Sequence, residues 1–400
     1  MKMRGPLGLA ALAAACHAAA PPLPASTGVP PAAPAALGFD STRLARAVDY
    51  LRAAADSGAF PGAVLAVGRH GRLALLAPVG HYGVDDPRPV EPGTINDLAS
   101  LTKVVGLTTA CMLLVDEGKV ALDTPVQHYV PEFRDGGKER VTVRQLLTHS
   151  SGLPAWRPLY LEADSRRTAL WIVNTTPLAG APGAAYVYSD LGAIVLTEAV
   201  ERLTGEPLDR FLAERVFRPL GMPATRYLPP PAWRPRIAPT ERDTAFRHRM
   251  LRGEVHDENA GRLGGVSGHA GLFSNALDLS RFAAMLLNGG AWDTLQLVRS
   301  ETVAEFTRRQ NVVPGSTRAL GWDTAPQPPD STSSAGTKLS PRAFGHTGFT
   351  GTSLWIDPDR DLFIILLTNR VHPTRANRAI LQVRPHVADL VVAALTHPEL

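Results

Sequence analysis

The chain has 400 residues, 44% hydrophobic and 20% charged, so it has the length for a sizeable core and the composition of a folded globular protein, not a disordered or fibrous one. Its 41 basic and 37 acidic residues leave a net charge of +4 with no basic stripe, which argues against a nucleic-acid partner. The two cysteines, Cys16 and Cys111, offer no disulfide framework, and Cys111 in the run Ala110-Cys111-Met112-Leu113-Leu114 reads as a small core residue.

Lys2 and Arg4 precede a short apolar stretch from Leu7 to Ala15, the pattern of a secretory leader over residues 1–20 that is too short to cross a bilayer. The run Leu12-Ala13-Ala14-Ala15-Cys16 is similar to a bacterial lipoprotein cleavage box, with Ala13 where that pattern prefers Leu. Cys16 is therefore the candidate for lipidation, and cleavage at small residues without lipidation is the competing reading. Residues 21–38 are Pro/Ala-rich and are expected to act as a tether. The expected location is outside the cytoplasm, in the periplasm or held to a membrane by lipid.

Along the body, residues 39–400, Thr42 to Ser57 carries a helical stripe of Leu44, Ala47, Val48 and Leu51, closed by Gly58. Two strand-like runs, Ala63 to Val67 and Leu73 to Pro78, flank Arg69-His70-Gly71-Arg72 and predict a hairpin. Helices follow: Leu101 to Glu117, a short one opened by the capping box Thr142-Val143-Arg144-Gln145, Leu191 to Leu203, and Leu279 to Leu287. A second hairpin is expected from Thr352 to Ile356 and Leu362 to Thr368. Together these predict an α+β fold, with an antiparallel sheet built from about 39–98 and 300–400 around a mostly helical region over about 99–299.

Three constellations carry chemistry. Ser100-Leu101-Thr102-Lys103 brings a hydroxyl and an amine to one helix face, at an end whose unpaired N–H groups favour negative charge. The bland alternative is a capping serine beside a solvated lysine. Tyr188-Ser189-Asp190 precedes a helix and, alone, reads as packing and a cap. Gly345-His346-Thr347-Gly348-Phe349-Thr350-Gly351-Thr352 opens a strand with enough glycine to let a substrate approach the backbone, although a bulge would read the same way.

In this order and at this separation the three motifs resemble the serine β-lactamase and D-alanyl-D-alanine carboxypeptidase superfamily, whose marks are Ser-x-x-Lys, Tyr-x-Asn and Lys/His-Thr-Gly. The branch most similar holds class C β-lactamases, penicillin-binding protein 4B-like proteins and family VIII esterases, and the resemblance runs over about 40–395. It implies a β-lactamase/transpeptidase-like fold and acyl-enzyme chemistry. Ser100 would be the nucleophile, with Lys103 and Tyr188 sharing the general-base work. The backbone N–H groups of Ser100 and Phe349 would bind the oxyanion, with Asp190, His346, Thr347 and Gly348 lining the site. His346 stands where β-lactamases usually carry lysine, and Asp190 where Asn is commoner; if close and ionised, Asp190 would raise the Lys103 pKa and leave Tyr188 as principal base. The expected substrates are D-Ala-D-Ala peptides or small esters, with β-lactams behind them and a catalytically silent binding module as the alternative of a different class.

No metal or organic cofactor is expected: the spacing of His256-Asp257-Glu258 and His269 matches no zinc pattern. His149 and His269 read as structural, Gly265 to His269 departs from a nucleophile elbow at its fifth residue, and Trp322 and Trp355 read as packing.

Overall fold

The structure is a computed structural model that describes residues 25–397; the leader and Cys16 lie outside the described residues. Asp40 caps the first helix by accepting the Thr42 and Arg43 N–H groups at 2.9 and 3.0 Å, which starts α1 at Ser41–Asp56 with Leu44, Ala47, Val48 and Leu51 buried. Next come β1 (Gly62–Arg69) and β2 (Arg72–Gly83), joined by a tight turn at His70 and Gly71, both at positive φ, and then β3 (Asp86–Pro89). The C-terminal part supplies β4 (Asp323–Thr324), β5 (Phe344–Thr347), β6 (Ser353–Asp357) and β7 (Leu362–Thr368). These seven strands form one antiparallel sheet in the order β4-β5-β6-β7-β1-β2-β3, so chain ends far apart in sequence meet where β1 pairs β7, Ala63 opposite Thr368.

The period-two alternation of β1 feeds two separate cores. Ala63, Leu65 and Val67 pack with α1 and the C-terminal helix Ile380–Ala393, whereas Val64 and Ala66 face the other side, against the helix Ala276–Leu287 and the helical region. Burial on both faces explains why β1 and β7 read as unbroken apolar runs. Trp322 and Trp355 are buried packing residues, and Cys111 is a core thiol whose pKa burial pushes up to about 12.

The expected tether is corrected over its described part. Val29 is fully buried and its N–H donates to Ser280 Oγ at 3.1 Å, while Ala32 N–H donates to the Leu73 carbonyl at 2.9 Å. Residues 25–38 are strapped to the body because Val29 and Leu37 bury apolar surface that a solvated linker would leave in water.

Candidate active site

Between the β5 edge and the helical region lies a cleft of about 670 Å³ lined by Ser100, Tyr188, His346, Thr347, Gly348 and Phe349 among others. Ser100 sits on the turn that opens the Lys103 helix. Ala99, just before it, is held at φ 46°, with its N–H on Asp97 Oδ1 at 2.8 Å, and a non-glycine residue in this region is strained. The following helix is widened into a π-helix over Lys103–Thr108 before continuing as an α-helix over Thr109–Asp116.

Lys103 is buried at 3% exposure; its ammonium donates to Ser100 Oγ at 3.1 Å and to the His269 carbonyl at 3.0 Å, and it forms an ion pair with Asp190 Oδ1 at 2.6 Å. Burial alone would pull its pKa down. The Asp190 carboxylate and the Tyr188 hydroxyl outweigh burial and raise it above the usual lysine value, so Lys103 is a cation across the neutral range. Its Nζ also lies 5.0 Å from the centroid of the Tyr188 ring. The cap of the helix Asp190–Thr204 is Ser189, whose Oγ accepts the Gly192 N–H, and this leaves Asp190 free for Lys103.

The N–H groups of Ser100 and Phe349 have no protein acceptor among the described residues, as an oxyanion site requires. The loop that carries Phe349 is tied to the Ser100 segment by Thr350 Oγ1, which donates to the Asp97 carbonyl at 2.7 Å, and by Thr352 Oγ1, which donates to the Leu98 carbonyl at 3.0 Å.

His346 Nδ1 donates to the Thr347 carbonyl at 2.8 Å. Burial, reinforced by the charges of Arg318 and Lys103, holds its pKa well below the usual histidine value, so the ring is neutral and Nε2 is an acceptor. It cannot supply the cation that lysine gives at this position in β-lactamases.

A cation near His346 in the cleft wall is Arg318, which sequence reading missed. Its guanidinium lies 5.4 Å from the Tyr188 ring and donates to Tyr186 Oη at 2.8 and 3.1 Å, while its buried Nη1 has no partner among the described residues. His149, expected to be structural, accepts the Ser189 N–H on Nδ1 at 3.1 Å, and its ring packs 4.5 Å from that of Tyr188. His269 is clamped between Ser267 Oγ at 2.7 Å and Asp257 at 2.9 Å, so its buried ring stays out of the cleft and aims its carbonyl at Lys103. His256 pairs with Glu241 at 2.9 Å and stacks on Phe349.

Comparison with known proteins agrees with this geometry. The β-lactamase family model matches residues 47–388. A protein of Salmonella agona (strain SL483) named "Putative D-alanyl-D-alanine carboxypeptidase" is 35% identical over 390 residues, covering 89% of this chain and 88% of its own. Among solved structures, a penicillin-binding protein homologue from Caulobacter crescentus superposes with TM-score 0.70 at 22% identity over 90% of this chain and 99% of its own. A family VIII carboxylesterase does so with TM-score 0.67 at 24% identity, over 88% and 98%. The chain belongs to the β-lactamase family and is a serine hydrolase with that family's α+β fold.

Proposed function

We propose that the chain is a carboxypeptidase of the D-Ala-D-Ala type: it cleaves a peptide whose scissile bond lies one residue before a free carboxylate. Ser100 Oγ attacks the carbonyl, the Ser100 and Phe349 N–H groups bind the oxyanion, and Tyr188, acting as its phenolate beside the Lys103 cation, takes up the serine proton to become the phenol and then delivers that proton to the leaving amine. Lys103, hydrogen-bonded to Ser100 Oγ and the His269 carbonyl and ion-paired with Asp190, acts as a fixed cation and not as the base. Water then releases the acyl group from Ser100. The 35% identical relative supports the substrate class.

The observation that carries the reading is the charge of the cleft wall. Arg318, Arg370, Arg375, Arg378 and Arg384 line it against one lining carboxylate, Asp323, and of the five Arg375 is also paired with Glu241 and Glu258 behind the wall. A substrate carboxylate bound along this wall would take charge-assisted hydrogen bonds from its arginines.

The test compares release of D-alanine from a D-Ala-D-Ala peptide with cleavage of the same peptide amidated at its C-terminus. Amidation is expected to lower kcat/KM by about 10- to 100-fold, the worth of one charge-assisted hydrogen bond. Labelling by a fluorescent penicillin or fluorophosphonate should vanish in Ser100→Ala, and Tyr188→Phe should slow acylation by about 10²- to 10⁴-fold. Equal rates on acid and amide would sink the carboxylate reading, and absence of labelling by either probe would favour a silent binding module.

A further inference from the structure

Arg384, on the C-terminal helix Ile380–Ala393, is buried at 7% exposure at the back of the cleft. Its hydrogen bonds go to carbonyls: Nη2 donates to Gly348 O at 2.6 Å and to Thr352 O at 2.8 Å, and no carboxylate pairs with it among the described residues. Burial and the neighbouring charge of Arg370 pull its pKa down, which marks a cation held at some cost. Apolar packing would fill the same space more cheaply, so the location of this charge calls for a reason.

The reason lies in which peptide group it grips. Gly348 O and Phe349 N–H belong to one planar trans peptide, so fixing the direction of the carbonyl fixes the opposite direction of the N–H. A charged donor on the oxygen also withdraws electron density from the amide and strengthens its N–H, since linked hydrogen bonds reinforce one another. The rest of the loop supports the same plane: Gly351 N–H also donates to Gly348 O, at 3.0 Å, and Gly348 N–H donates to Thr352 O at 2.8 Å. Arg370 Nε holds the next peptide through Phe349 O at 2.8 Å.

We propose that Arg384 is a positioning residue for the oxyanion site, aiming the Phe349 N–H into the cleft and strengthening it as a donor. The inference rests on the acyl-transfer reading above and deepens it. Arg384 touches no reacting atom; it acts through the 348–349 peptide.

The full chain and its Arg384→Met and Arg384→Lys variants are acetylated with p-nitrophenyl acetate, with Ser100→Ala as control. Acylation rate, affinity for phenylboronic acid and the infrared carbonyl stretch of the acetyl-enzyme are measured on each. In Arg384→Met, kcat/KM should fall by about 10- to 100-fold, a fraction of what loss of an oxyanion donor costs, with KM little changed. Boronate affinity should fall in step, and the stretch should move to higher wavenumber because the bound carbonyl is less polarised. Arg384→Lys keeps the charge but loses the planar fork, so it should fall between the two. If Arg384→Met does not fold, the lysine variant decides. An unchanged rate and stretch in the folded variant would overturn the inference alone, whereas failure of the wild-type chain to acylate at Ser100 would overturn the acyl-transfer reading and this inference with it.

Discussion

At the residue scale, the ion pair and the two hydrogen bonds of Lys103 decide its role. An ammonium has no lone pair, so a lysine kept charged by its ion pair with Asp190 and donating to Ser100 Oγ and His269 O has nothing with which to accept the serine proton. Asp190→Asn keeps an acceptor but removes the charge that offsets burial, and should cost about 3 kcal/mol of folding stability, the low end for a buried pair that loses one charge because Asp190 is itself partly exposed. The sign of the pH dependence follows from the raised Lys103 pKa. The stabilisation is fully present below the ordinary lysine value of about 10.4 and is lost only as pH climbs through the higher folded value. Urea titrations of wild type and Asp190→Asn should therefore differ by a constant amount between pH 6 and 9, and a difference that shrinks across that window would contradict the ion pair. The Ser100–Lys103 contact was legible because helical spacing alone brings residues three apart together. Arg318 was not, because its neighbours Tyr186 and Tyr188 lie more than 120 residues away and nothing local distinguishes it among a chain's many arginines.

At the scale of elements, the site depends on how two loops are joined. The turn before the Lys103 helix and the loop after β5 share the bonds of Thr350 and Thr352 to the carbonyls of Asp97 and Leu98, so nucleophile and oxyanion donor move as one piece. Gly348 is the closest point of that joint: a Cβ there would lie 2.1 Å from Thr352 Oγ1 and 2.2 Å from Leu98 O, with backbone on one side and no room to yield. Gly348→Ala should part the loops, lowering the thermal midpoint and reducing penicillin labelling of the still-folded fraction by at least about 10-fold, in line with loss of an oxyanion donor. Normal labelling in that variant would show that the joint does not hold the donor. The density of glycine in 345–351 pointed to a close backbone approach, but it could not say that the partner would be the Leu98 carbonyl. The widening of the helix over Lys103–Thr108 was equally hidden, since periodicity cannot distinguish π from α over six residues.

At the scale of the molecule, the hairpins and the α+β layout were readable because β1, β6 and β7 are short apolar runs buried on both faces and bounded, like β2, by turn residues. The docking of residues 25–38 was not, because Pro and Ala in a low-complexity stretch look the same in a free linker and in an extended strap. The strap spans both layers: Val29 inserts beside the helix Ala276–Leu287, where Arg281 Nε holds the Gly28 carbonyl at 3.1 Å, and Ala32 bonds to Leu73 on β2. Burying one valine is worth about 1.5–3 kcal/mol, and the freed partners Ser280 and Arg281 can turn to water, so the valine dominates the loss. A chain beginning at residue 33 should thus be about 2–3 kcal/mol less stable than one beginning at residue 25. Because the strap lines no part of the cleft, the shortened chain, while folded, should acylate at the same rate. Urea midpoints and p-nitrophenyl acetate rates on the two chains check both halves, and equal midpoints would return this segment to the status of a free tether.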